Sequence, residues 1–186
     1  MRRGFITNAN VRLVLSNRSG VKALEIADKL GVHTAVIESS KHAGTRQEYD
    51  AKLIEALRLR DVTEDTGLVL LAGFDRILSP EFVTHFQGRL MNIHPALLPG
   101  FPGLHAQKQA IDYGAKIAGC TVHFVSPEVD AGPIILQRAV RVEEGDTEET
   151  LSSRILREEH RAYPLAIKLF TEGKLRIEGR KVKVSG

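Results

Sequence analysis

Residues 91–100, MNIHPALLPG, join an apolar run to a polar end, which marks them as a place where the chain presents reactive side chains. Asn92 and His94 are two positions apart, and in a β-strand such residues leave the same face. Pro95 lacks a backbone N–H, so strand pairing is expected to stop there. We therefore predict a strand whose end holds a carboxamide and an imidazole at the edge of a sheet, where open α/β sheets bind ligands.

The loop that follows, PALLPGFPGLH (95–105), contains three prolines and two glycines and is predicted to be stiff and sharply turned. Stiff loops at the end of a strand commonly form the wall of a ligand pocket. This loop favours a functional interpretation of Asn92 and His94 over one in which both only bond to a neighbouring segment.

Outward from this stretch, short apolar segments alternate with helical ones, which predicts βα units and a mainly parallel central sheet. GLVLLAG (67–73) is wholly apolar, as strands covered on both faces are. Thr45 and Glu48 have the spacing of a capping box and mark the start of a helix. We expect a three-layer α/β fold in one domain, residues 1–186.

The second half of the chain follows a different pattern. GCTVHFV (119–125) and IILQRAVRV (134–142) have no helix between them, so an antiparallel or mixed pairing is expected. A long helix is predicted to begin near Asp146, with Glu149 completing a capping box, and to bend at Pro164.

Two polar residues in this half have more than one interpretation. Asp130 lies in VDAGP, where an aspartate before small residues is an ordinary turn former. A functional role requires Asp130 to lie beside His94, where its carboxylate would favour the imidazolium. His123 alternates with apolar neighbours and is expected to be a hydrogen-bonded core histidine rather than a catalyst.

The composition narrows the class of protein. The chain has 186 residues with 42% hydrophobic content and a mean hydropathy of -0.13, and no run is long and apolar enough to span a bilayer. The single Cys120 excludes an internal disulfide and fits a cytoplasmic location. The net charge of +3 suits a small anionic substrate better than nucleic acid.

Known motifs narrow the function further. No dinucleotide, triphosphate or serine-hydrolase motif is present. The histidines follow no metal-ligand spacing, so no metal is expected. The expected partners are small molecules, with no nucleic acid and no membrane, and a homodimer is left open.

Four segments together carry a resemblance to a known family. They closely resemble, in this order, the phosphoribosylglycinamide formyltransferases of purine synthesis, within the folate-dependent formyltransferases. The resemblance covers residues 11–184. The segments are LAGFDRILS (71–79), MNIHPALLPGFPGLHAQKQA (91–110), GCTVHFVSPEVDAGPIILQ (119–137) and EEHRAYPLAIKLF (158–170).

The resemblance implies formyl transfer from 10-formyltetrahydrofolate, as co-substrate, to the amine of glycinamide ribonucleotide. By it, Asn92, His94 and Asp130 match a catalytic trio, in which His94 and Asn92 stabilise an oxyanion and Asp130 favours the protonated form of His94. Glu159 matches a residue that holds the sugar of the ribonucleotide. The positions that match folate contacts are Arg46, Asp75, Arg76, Ile77, Leu78, Asn92, Ser126, Pro127, Glu128, Val129 and Asp130.

The chain departs from the family in two places. Asp75 stands where the family often has an apolar residue, at the wall of the folate pocket. The family's first strand and its Gly-rich phosphate loop have no counterpart ahead of residue 11, so we expect a shortened N-terminus, with the strands on both sides of the gap lacking a neighbour. Alternative functions are a formyltetrahydrofolate hydrolase, a sugar-amine formyltransferase, or a catalytically impaired folate-binding protein.

Overall fold

The computed structural model describes residues 4–39 and 44–185, in which strands and helices alternate as predicted for an α/β protein. The elements, in chain order, are β1 (Val14–Ser16), α1 (Lys22–Lys29), β2 (Thr34–Val36), α2 (Arg46–Arg58), β3 (Val69–Leu71), α3 (Pro80–His85), β4 (Leu90–His94), α4 (Ala106–Tyr113), β5 (Ile117–Phe124), β6 (Ile134–Arg141), α5 (Glu148–Thr171), β7 (Leu175–Glu178) and β8 (Lys181–Val184).

The strands form a six-stranded sheet of order β3-β4-β5-β6-β8-β7 and a separate two-stranded sheet of β1 and β2. The pairs β1–β2, β3–β4 and β6–β8 are parallel, whereas β4–β5, β5–β6 and β7–β8 are antiparallel. The antiparallel β5–β6 pair confirms the antiparallel or mixed pairing that was predicted for these two strands. Among the described residues β1 pairs only with β2, and β3 pairs only with β4.

The core confirms a layered arrangement around β4. Met91 belongs to a buried cluster with β5, β6 and α5, whereas Leu90 belongs to a second cluster with α2 and α3. Because successive residues of a strand point to opposite faces, helices cover both faces of the sheet at β4. This places the end of β4, with Asn92 and His94, between two packed layers.

The prediction that β3 is covered on both faces was wrong. Leu70, its central residue, is 38% exposed, while Val69 and Leu71 on either side pack against the second cluster. β3 is one of the two edge strands of the six-stranded sheet, so Leu70 has a neighbouring strand on one side only.

The start of α5 also differs from the prediction. The N-cap is Thr147, one residue after Asp146, and Thr150 completes the capping box. The Asp146 carboxylate instead accepts hydrogen bonds from the Glu143 N–H at 2.7 Å and from Arg154 at 2.7 and 2.9 Å. The helix continues through Pro164 as far as Thr171.

The helices of the described ranges, 4–39 and 44–185, include none with the length and apolar character that a membrane crossing requires. Cys120 is a free thiol inside the core, and burial raises its pKa to about 12, so it stays protonated and unreactive at neutral pH.

Candidate active site at the end of strand β4

Asn92 and His94 lie on the part of β4 that pairs with β5. The register places Asn92 opposite His123 and His94 opposite Thr121. The His94 side chain is 5% exposed. The strand end predicted from the sequence is therefore a buried polar site, bounded on one side by β5.

Asp130 lies beside His94, which the sequence alone left open. Its Oδ2 atom is 3.4 Å from His94 Nδ1, and its side chain is 11% exposed. The backbone of Asp130 has φ of 51°, in the left-handed region that aspartate tolerates in turns. The Gly103 N–H donates to the same Oδ2 at 2.8 Å. Asp130 is therefore both a turn residue and a partner of the histidine.

A backbone carbonyl fixes which nitrogen of His94 faces this carboxylate. Nε2 of His94 lies 2.8 Å from the carbonyl oxygen of Phe101. A carbonyl only accepts, so Nε2 carries a hydrogen, and Nδ1 is the nitrogen that gains or loses a proton. Protonation of His94 thus adds a hydrogen on the side that faces Asp130.

Thr121 fastens the proline-rich loop beside the site. Its hydroxyl donates to the Ala96 carbonyl at 2.7 Å and accepts from the Leu98 N–H at 3.0 Å. Gln137 donates to the Leu98 carbonyl at 2.9 Å. These bonds satisfy the carbonyl of Ala96 and both backbone polar groups of Leu98.

Glu159, the predicted sugar-binding residue, reaches the same region from α5. Burial raises the pKa of its carboxyl group, an effect that the nearby cations of His160 and His94 partly oppose. The interaction with His94 indicates that Glu159 lies in the neighbourhood of that residue.

The predicted folate positions after β3, residues 75–78, differ in their exposure and in their contacts. Ile77 is 56% exposed, and the Arg76 guanidinium lies over the Tyr49 ring at 4.6 Å from its centroid. The Leu78 side chain is buried in the second cluster, so its backbone is the part that remains for a ligand. Asp75 pairs with Arg18 and accepts a hydrogen bond from Asn17 at 3.2 Å. Its carboxylate thus ties this loop to the end of β1.

The remaining folate positions lie on other elements. Arg46 is exposed at the first residue of α2. Ser126 is half-buried, whereas 127–129 are exposed. Residues 126–128 and 131–133 line a cavity of about 350 Å³ together with Gly179 and Arg180 of the terminal hairpin, whereas Val129 and Asp130 do not.

Sequence reasoning missed the place of His123. The residue is buried and hydrogen-bonded, as predicted, but its Nε2 atom lies 3.4 Å from Asn92 Nδ2 and 3.8 Å from Asp130 Oδ1. Its position depends on the pairing of β4 with β5, for which the local pattern TVHFV carries no signal.

Asparagine, histidine and aspartate side chains therefore meet beside the end of one strand of a mixed sheet. The family model described as formyl transferase matches residues 3–167. Phosphoribosylglycinamide formyltransferase of Escherichia coli is 42% identical over 176 residues, which are 95% of this chain and 81% of that protein. The chain therefore belongs to the formyl transferase family.

A longer relative and a solved structure are also similar to this chain. The trifunctional purine biosynthetic protein adenosine-3 of Gallus gallus is 46% identical over 91% of this chain, which spans 16% of that protein's length. The crystal structure of glycinamide ribonucleotide transformylase 1 from Symbiobacterium toebii has a TM-score of 0.90 and 50% identity, covering 95% of this chain and 81% of that one.

Proposed function

We propose that this chain transfers the formyl group of 10-formyltetrahydrofolate to the amine of glycinamide ribonucleotide, a step of de novo purine biosynthesis. The observation that carries the proposal is the meeting of Asn92, His94 and Asp130 in a buried site of a formyl transferase. The names of the relatives support the choice of substrate.

The geometry suits acyl transfer through a tetrahedral intermediate. The amine nitrogen attacks the formyl carbon, and the formyl oxygen takes up negative charge. An imidazolium proton on His94 Nδ1 and an amide hydrogen of Asn92 are donors that stabilise such an oxyanion. The bond from carbon to the folate nitrogen then breaks, the amine loses a proton, and the departing nitrogen gains one.

Asp130 favours the positive charge on His94 that this scheme requires. Its carboxylate lies 3.4 Å from His94 Nδ1 in a nearly buried site, where an anion favours the cationic ring. Because Nε2 is committed to the Phe101 carbonyl, the added proton resides on Nδ1, the nitrogen that faces Asp130. We assign His94 and Asn92 as oxyanion donors and Asp130 as the group that keeps His94 charged.

The two substrates would occupy different sides of this trio. Folate would contact Arg46, the segment 75–78 and the loop 126–130, whereas Glu159 would accept hydrogen bonds from the sugar hydroxyls of the ribonucleotide. The partners are thus both small molecules. A homodimer and a cytoplasmic location stay predictions, the first checked by sedimentation velocity and the second by imaging the tagged chain.

The fate of a labelled formyl group tests the proposal against its alternatives. Purified chain is incubated with formyl-labelled 10-formyltetrahydrofolate, with and without glycinamide ribonucleotide. We expect label to enter the ribonucleotide amine, with one tetrahydrofolate released per product. Labelled formate produced at the same rate with or without the amine would instead identify a hydrolase. Transfer to an amino-sugar nucleotide alone would identify a sugar-amine formyltransferase.

A further inference from the structure

His123 is a buried polar side chain that the scheme above does not use. It is 1% exposed and lies directly opposite Asn92 across the β4–β5 pair. The polar side chains that face it are those of Asn92, Asp130 and His94. A histidine in this place can carry a proton in the reaction, hold another group in position, or serve only as a packed core residue.

The hydrogen bonds of His123 determine its tautomer. Nδ1 lies 2.9 Å from the Phe124 carbonyl oxygen, which only accepts, so Nδ1 carries the hydrogen. Burial is the main cause that lowers the pKa of His123, so the ring is neutral at neutral pH. In this form Nε2 has a lone pair and accepts a hydrogen bond.

Asn92 provides the matching donor. Its Nδ2 atom lies 3.4 Å from His123 Nε2. If the carboxamide were rotated by half a turn, its oxygen would face the lone pair of Nε2, and the two acceptors would repel. A carboxamide nitrogen carries two hydrogens, so one bond to His123 leaves the second N–H available for another acceptor.

We propose that His123 is a positioning residue that accepts one amide hydrogen of Asn92 and so holds the other towards the formyl oxygen. The inference rests on the proposed formyl transfer and adds a residue to its machinery. His123 would act through Asn92 and would not itself touch the substrate.

Two substitutions of His123 separate this role from packing. His123→Phe keeps a buried ring but removes the acceptor, whereas a glutamine at this position retains an acceptor oxygen. We expect His123→Phe to lower kcat about tenfold to a hundredfold with little change in KM, as for the loss of one buried hydrogen-bond partner. His123→Gln should recover most of this loss. Val122→Ala, at the buried neighbour on the other face of β5, should lower stability without the loss of kcat.

The same substitution in an Asn92→Ala background is the decisive comparison. There His123→Phe should have no further effect on kcat, because the group it positions is gone. Equal losses in both backgrounds, or a full kcat in the single variant, would overturn the proposal. An Asn92→Ala variant with normal transfer would instead contradict the proposed site itself.

A measurement on the unsubstituted protein does not depend on how the variants fold. Nitrogen-15 NMR of histidine-labelled chain distinguishes a protonated ring nitrogen from a bare one. We expect His123 to be protonated at Nδ1 and bare at Nε2 at neutral pH. Protonation at Nε2 would overturn the proposal, because that nitrogen could not accept from Asn92.

Discussion

The two histidines of the site use their ring nitrogens in complementary ways. His94 commits Nε2 to the Phe101 carbonyl, and His123 commits Nδ1 to the Phe124 carbonyl. The remaining nitrogens, His94 Nδ1 and His123 Nε2, both face Asp130. One carboxylate therefore lies between the two imidazoles, and burial lowers the pKa of one of them, His123.

The members of the proposed catalytic trio could be predicted from the sequence, but the contacts that support them could not. Asn92 and His94 share a face through their spacing alone, and the resemblance supplied Asp130. The carbonyl of Phe101 and the place of His123 depend on loop conformation and on strand register, which no local pattern encodes. These contacts join residues 7 and 31 positions apart in the chain.

Glu159 gives a prediction about pH. Burial raises the pKa of its carboxyl group, so protonation in the acid range begins at a higher pH than for an exposed glutamate. If the carboxylate holds the sugar, KM for the ribonucleotide should rise as pH falls through this raised pKa. The measurement is KM between about pH 4.5 and 7.5 for the wild type and for Glu159→Gln, which has no such ionisation. Two results would remove Glu159 from the sugar site. One is a wild-type KM that does not change with pH, and the other is a KM that changes with pH to the same extent in Glu159→Gln as in the wild type.

At the scale of elements, the N-terminus of α5 shows how two good caps compete. Asp146 and Thr147 are both favoured N-cap residues, so the sequence leaves an ambiguity of one residue. In the structure Thr147 caps the helix, while Asp146 forms an ion pair with Arg154, which lies within α5. The capping position is thus taken by Thr147, while the Asp146 carboxylate is held by Arg154 and by the Glu143 N–H.

This ion pair predicts a stability difference that depends on pH. The hydrogen bonds from Arg154 are the main cause that holds the pKa of Asp146 well below its ordinary value. The stabilisation that the ion pair contributes is therefore fully present at pH values above the pKa of this carboxyl group in the unfolded chain. It is lost as the pH falls towards the lowered pKa of Asp146 in the native protein. Asp146→Asn should lower the free energy of unfolding at pH 7, and the difference from wild type should narrow at pH 3.

Denaturant unfolding at both pH values checks the prediction, with Asp112→Asn as the matched control. Asp112 pairs with Lys108 on the exposed face of α4, where an ion pair contributes little. The control should have a smaller effect at pH 7. An equal effect from both substitutions would show that Asp146 does not anchor α5.

At the scale of the whole molecule, the strands divide into a large sheet and a small one. The six-stranded sheet carries both buried clusters, whereas β1 and β2 are half-buried or exposed and pair through three residues each. The sequence predicted β3, β4, β5 and β6 near their places, because apolar runs identify strands. It could not predict the order β3-β4-β5-β6-β8-β7, since strand order follows from long-range packing.

Hydrogen exchange should reveal this division. Segments with few buried contacts open at lower free energy than strands in the core. We expect amides of β1 and β2 to exchange faster than those of β5, where seven of eight residues are buried. Hydrogen–deuterium exchange with mass spectrometry makes the comparison at peptide resolution. Equal protection of β1 and β5 would mean that the two sheets open as one cooperative body.

The account as a whole depends on His94 as the donor to the oxyanion, and one measurement tests it most directly. That measurement is kcat for formyl transfer to glycinamide ribonucleotide by His94→Ala, with His33→Ala as the control. His33 is exposed in the turn before β2. We predict that His94→Ala lowers kcat by about 10²–10³ while the chain still unfolds cooperatively, and that His33→Ala keeps the wild-type rate. A wild-type kcat in the folded His94→Ala variant would contradict the account.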